Sequence, residues 1–273
     1  MSRDASDTAL APVAHHAPAG VLAAVATLAL VLAPKYFGPT GLLVAVALVQ
    51  VGLIATWARA TATRGYVGSL VIGAGAAVAA DTVVAIGPEP ELGPLAAVLA
   101  LAFLAAMLHQ LARSAPRRLA TASLGAISTL TFSVIGLSTL LLLYRITDGS
   151  AAFVATVAAA GGAVVVGHLV DLLLPVPRIT PEVPRGLLGL LLSVVTGVAA
   201  SVTLSAPASL SDAVGAAIVG AIVGLVAALL AVAASYIAAD RPQSNVSLPW
   251  LQAFFPLAGA APIGYFLALR LLG

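Results

Sequence analysis

AVGAAIVGAIVGLVAALLAVAASYIAA, residues 213–239, runs from Asp212 to Asp240 without one charged side chain. It is longer than the roughly 20 apolar residues needed to cross a bilayer. It has no period-two alternation, so a helix rather than a barrel strand satisfies its backbone in hydrocarbon. The rest of the chain follows suit. Charged residues are 8% of the 273 and hydrophobic residues 61%, with a mean hydropathy of +1.12, whereas a soluble domain carries about 25% charge. The fold class expected is an all-α polytopic integral membrane protein. Cutting at charged and Pro-containing stretches predicts about nine spans, near 19–34, 40–58, 67–86, 92–112, 120–144, 150–174, 186–204, 213–239 and 250–271.

Residues 1–18, with Arg3, Asp4, Asp7, His15 and His16 among Ala and Pro, are too poor in apolar surface to order themselves and read as a disordered tail. Two halves follow, five spans over 19–144 and four over 145–273. The positive-inside bias sets the orientation. Arg3, Arg59, Arg64, Arg113, Arg117, Arg118, Arg178, Arg185 and Arg241 fall on one side, against Lys35, Arg145 and Arg270 with Glu89 and Glu91 on the other. This predicts a plasma-membrane protein with a cytoplasmic N-terminus. A net charge of +2 without a clustered basic face argues against nucleic acid as a partner. The absence of cysteine excludes disulfides, thiolate nucleophiles and Cys-ligated metals. Lys35, the only lysine, lies in a short loop away from the bundle interior, which excludes a retinal Schiff base there.

Ionisable groups inside spans are costly and mark candidate sites. Asp81 lies in the third span. His168 and Asp171 in the sixth are three apart and share a helix face, while His109 ends the fourth. His109 and His168 also pose the question of a haem pair, against the plainer reading of both as helix-end residues. The fifth span carries Ser123, Ser128, Thr129, Thr131, Ser133, Ser138 and Thr139, hydroxyls that either line a polar path or bond backbone carbonyls of their own helix. Gly220 with Gly224, and more loosely Gly161, Gly162 and Gly167, make small-residue faces for close helix packing, and these permit a homodimer or another membrane partner. The stretch Pro175-Val176-Pro177-Arg178-Ile179-Thr180-Pro181-Glu182-Val183-Pro184-Arg185-Gly186 is stiff, non-helical and basic. It serves either as a phosphate-holding loop or as a rigid connector.

Arg178-Ile179-Thr180-Pro181, followed by Gly186 and Gly189, resembles the R-I-S-P-K-K-T-x-E-G-x-x-G-G segment of the phosphatidate cytidylyltransferases. Gly161-Gly162-Ala163 and Gly167-His168 precede it where that family has S-D-T-G-A-Y and G-R. Ser235, Asp240-Arg241, Leu248-Pro249 and Ala261-Pro262 with Tyr265 follow in the family's order. The resemblance covers about 145–273 and implies transfer of a cytidylyl group from CTP to phosphatidic acid, with magnesium held by carboxylates. The chain departs from the pattern at those carboxylates. Gln252, Ala253, Phe254, Phe255 and Pro256 stand at D-R-x-D-S, Ala160 stands at the Asp of S-D-T-G-A-Y, and Glu182, Val183 and Pro184 replace two lysines and a threonine. The expectation is therefore a catalytically silent relative, acting as an anionic-lipid-binding or partner subunit. Arg178, Arg185 and Arg241 would hold a lipid phosphate, with Arg113, Arg117 and Arg118 nearby. An active enzyme would need magnesium and the convergence of Asp171, Glu182 and Asp240. A transporter would need a polar path through Asp81, His109, His168 and Asp171.

Overall fold

The computed structural model describes residues 12–63, 65–113, 116–181, 183–240 and 246–272, with side chains from His16 onward. The helices are α1 (Pro12–Ala60), α2 (Tyr66–Ile86), α3 (Gly93–Leu111), α4 (Arg117–Thr147), α5 (Ala151–Leu173), α6 (Leu187–Ser205), α7 (Leu210–Ala239) and α8 (Leu248–Leu271). Two short strands, β1 (Arg178–Thr180) and β2 (Val183–Gly186), separate α5 from α6. Among the described residues eight helices are long and apolar enough to cross a membrane. They mark the chain as a multi-pass membrane protein whose outer faces meet lipid.

The first two expected spans fall in α1, as two helical arms that meet at a kink. A straight helix of its 49 residues would measure about 74 Å, more than twice the hydrocarbon thickness. The continuity is broken at Gly38, which takes φ 62°, ψ −153°, a region open essentially to glycine alone. Pro39 follows and disfavours helical geometry in the residue before it. The chain turns back there: a Cβ on Gly41 would collide with the carbonyl of Ala33 and lie 2.8 Å from the Phe37 Cβ. The arm before Gly38 packs on α5, where Gly161 lies against Thr27 and Gly20 against His168. The arm after it packs on α2, α4 and α8, where Trp57 Nε1 donates to the Ala126 carbonyl at 2.8 Å and Gly52 lies against Phe254.

Two sequence expectations need correction. Residues 12–18, read as part of a disordered tail, belong to α1, because the helix end is anchored: His16 is 1% exposed and Ala19 fully buried. The proline-rich stretch is not a plain connector. It forms an antiparallel hairpin pairing Arg178 with Gly186 and Thr180 with Val183, so the fold is all-α but for this pair of strands. Proline removes a donor without forbidding extended backbone, so Pro184 sits in β2 at no cost in φ.

The bundle centre is α4, buried over 78% of its apolar window, against 22% for α3 and α6. The N-terminus of α7 carries a capping box. The Ser209 Oγ accepts from the Asp212 amide, and the Ser209 amide donates to Asp212 Oδ2, each at 3.1 Å. The glycine faces expected to serve assembly are used inside the chain. Gly197 of α6 meets Gly220 and Gly224 of α7 backbone to backbone, Gly162 faces Thr196, and Gly167 faces Ser193.

Overpacking of such a contact costs about 1–3 kcal/mol. Gly220→Val is expected to lower the melting temperature of the purified protein by that equivalent. Gly75→Ala, where an added Cβ meets nothing within 4 Å, is expected to leave it unchanged or raise it.

Candidate functional site

Where the hairpin meets α5 and α7, the chain buries a charge pair. The Arg185 Nη1 donates to Asp171 Oδ2 at 3.0 Å, and the two side chains are 4% and 1% exposed. The remaining groups are closed in the same way. Arg185 Nε donates to the Ser235 Oγ at 3.0 Å, and Ser235 passes its own proton to the Ala231 carbonyl at 2.9 Å. Asp171 Oδ1 accepts from the Gly186 amide at 2.8 Å. Arg185 Nη2 is 3.0 Å from His168 Nε2 and 3.4 Å from Nδ1. The shorter contact fits His168 Nε2 as the acceptor of an Arg185 N–H. Desolvation pushes the Arg185 guanidinium below its ordinary value and Asp171 draws it back up; an arginine stays charged throughout.

The network extends to the chain's beginning. The His16 and His168 Nδ1 atoms are 3.1 Å apart, so one ring donates and the other accepts. His16 Nε2 donates to the Pro184 carbonyl at 2.5 Å. Glycine makes the enclosure possible: a Cβ on Gly189 would run into the Asp171 carboxylate, and one on Gly186 would come within 2.7 Å of the Pro175–Val176 backbone. The space left among Asp171, Arg185, Gly186, Gly189 and Ser193 is about 10 Å³, room for about one water.

A second polar cluster lies among the second arm of α1, α2 and α4. Asp81 Oδ1 accepts from Ser138 Oγ at 2.6 Å and from Gln50 Nε2 at 3.1 Å. Gln50 Nε2 also donates to the Val134 carbonyl at 3.0 Å. Of the other expected α4 hydroxyls, Thr129, Thr131, Ser133 and Thr139 bond carbonyls three or four residues back. Ser138, by contrast, reaches across to another helix.

The expected site residues divide accordingly. His168 and Asp171 do share a face and both meet Arg185. Arg185 was expected to hold a lipid phosphate, but its nitrogens are spent on Asp171, Ser235 and His168 inside the protein, because an unpaired carboxylate at Asp171 would otherwise be buried. Arg178 is exposed on β1, and Asp240 is exposed at the end of α7. Arg241 and Glu182 lie outside the described residues. Arg117 and Arg118 are exposed and Arg113 half-buried. His109 and Arg113 pack on Gly65 and Gly68 of α2, so His109 does not face His168. Asp171 is a poor magnesium ligand as it stands, because its two oxygens are engaged by Arg185 and Gly186. Among the described residues no three His, Asp or Glu gather as a metal site.

Gln50 and His16 escaped the sequence reading as site residues. Gln50 is the one amide in a run of apolar residues, a signal of the same kind as an intramembrane charge. His16 stands beside His15 in what reads as a tail. Comparisons with protein-family models, curated proteins and solved structures find no match to this chain.

Removing one member of a buried pair strands the other, at a cost of about 3–5 kcal/mol. Arg185→Ala and Asp171→Ala are each expected to destabilise the purified protein by that order in chemical or thermal unfolding. The double variant is expected to lose clearly less than the two added together.

Proposed function

We propose that this chain is a catalytically silent relative of the phosphatidate cytidylyltransferases, working at the plasma membrane as an anionic-lipid-binding or partner subunit in phospholipid biosynthesis. On this reading α1 crosses twice, the bundle makes nine crossings, and the N-terminus and hairpin face the cytoplasm. The observation that carries the reading is the closure of the hairpin. Residues in the place of the family's nucleotide-handling loop are spent on an internal Arg185–Asp171 pair, with space for about one water beside it. A triphosphate and its metal have no pocket among them.

The part left for a ligand is the surface. Arg178 on the hairpin and Arg117 and Arg118 at the start of α4 are exposed; on this reading all three lie at the cytoplasmic end. Each Arg near an anionic leaflet contributes about 1 kcal/mol of attraction, so three support a modest, salt-sensitive preference for phosphatidate over zwitterionic lipid.

The test is binding of short-chain phosphatidate to the purified protein in phosphatidylcholine nanodiscs. Arg178→Ala is expected to weaken it about fivefold, the equivalent of about 1 kcal/mol, and the Arg117, Arg118, Arg178 triple alanine variant to weaken it further. In parallel, labelled CTP with magnesium and phosphatidic acid is expected to yield no lipid-linked cytidine. Phosphatidate binding indifferent to all three arginines contradicts the lipid-binding reading, and turnover of CTP contradicts silence.

A further inference from the structure

Asp81 is a carboxylate within a membrane helix, 8% exposed, and its hydrogen-bonding neighbours are neutral. Ser138 and Gln50 both donate to the same oxygen, Oδ1. Among the described residues the only ion pair is Arg185–Asp171, in the other cluster. The elements packed on α2 bring no cation to Asp81. The second arm of α1 has no charged residue before Arg59, and α3 carries only His109, at the end where it meets Gly65 and Gly68. The nearby charge on α4, Arg145, turns its Nη1 to the Val84 carbonyl and its Nη2 to that of Gly87 at 3.0 Å. It thus caps the negative end of α2. A bare carboxylate held by two neutral donors in hydrocarbon costs several kcal/mol; a proton or a small cation removes that cost.

A cavity lies about one helical turn away. It measures about 300 Å³ and opens among the same three helices, lined by Leu42 and Leu43 of α1, Val84 and Ala85 of α2, and Leu141 and Arg145 of α4, among others. Each helix thus gives both a wall residue and a member of the polar cluster. Val84 and Leu141 stand one turn beyond Asp81 and Ser138. The Gln50 Nε2 marks the meeting point of three oxygens, Asp81 Oδ1, Val134 O and Ser138 Oγ, at 3.0–3.3 Å. The Gln50 amide fills that point, so the cation that the cluster accepts as it stands is a proton on the Asp81 carboxylate.

We propose that Asp81, held by Ser138 and Gln50, is a proton-binding site, loaded through the cavity bounded by Leu42, Val84 and Leu141. The site is independent of the lipid-binding reading and survives its failure.

The test uses the full chain in nanodiscs, with infrared spectroscopy of carboxyl-labelled aspartate. In sodium-free buffer at neutral pH the wild type is expected to show a protonated-carboxyl band that Asp81→Asn lacks. The band is expected to persist when sodium is added. Its loss on adding sodium but not potassium overturns the assignment to a proton. An ionised Asp81 in sodium-free buffer overturns the proposal. Ser138→Ala keeps the carboxylate but removes a donor to its charged form. Its band is expected to titrate about one pH unit or more higher, and an unchanged midpoint overturns the assignment of Ser138. Leu141→Trp, which fills the cavity, is expected to slow deuterium exchange of the carboxyl proton at least tenfold, and an unchanged rate overturns the route.

Discussion

A buried guanidinium facing a buried carboxylate is tolerable only when every remaining donor and acceptor is also met, and the Arg185–Asp171 pair imposes that condition on five elements at once. Asp171 comes from α5, Arg185 from β2, Ser235 from α7 and His16 from the start of α1, while Gly189 of α6 yields the volume the carboxylate fills. Burial in a bilayer protein draws little from the hydrophobic effect between helices, since lipid is as apolar as leucine. Polar closure and close glycine packing therefore carry much of the specificity here. The N-terminal helix, the hairpin and the two glycine-bearing helices α6 and α7 all meet at this one knot.

The same condition explains why the knot is a poor active site. Chemistry on a phosphate requires donors left open toward the ligand and carboxylates left open toward a metal. Here Arg185 and Asp171 satisfy each other, and Gly186 offers its amide to the carboxylate rather than to an anion. Arg185 and Gly186 of the hairpin turn inward to hold the fold. Among the described residues, the intramembrane carboxylate without an ion-pair partner is Asp81, in the other half of the bundle. The two polar clusters lie in different groups of helices.

Much of the architecture was legible because hydrocarbon is an unforgiving solvent: stretches such as 213–239 admit one secondary structure. The sharp turn between the first two spans was not, because hydropathy sees Gly38-Pro39 only as a gap between apolar runs. The hairpin was hidden for a related reason. Prolines at 175, 177, 181 and 184 announce non-helical backbone without choosing between strand and coil. His168 and Asp171 could be placed on one face by spacing alone, whereas the partner of Asp171 could not. Arg185 lies across a turn of irregular structure, and no periodicity relates the two. Arg185 therefore read as a surface cation when it is the most deeply committed arginine described. Ser138 was visible as one hydroxyl among seven, and only the packing of α4 on α2 separates it from those that bond their own helix.

The central claim is that the hairpin is sealed by the ion pair rather than open to solvent and ligand. Amide hydrogen exchange at Gly186 in the full chain in nanodiscs reads this directly, since that amide donates to Asp171 at 2.8 Å. Exchange as slow as that of the neighbouring turns of α5 is the result expected of a sealed knot. Exchange at the rate of an exposed loop would mean that the pair is open in the membrane and that the inner face remains available for a ligand.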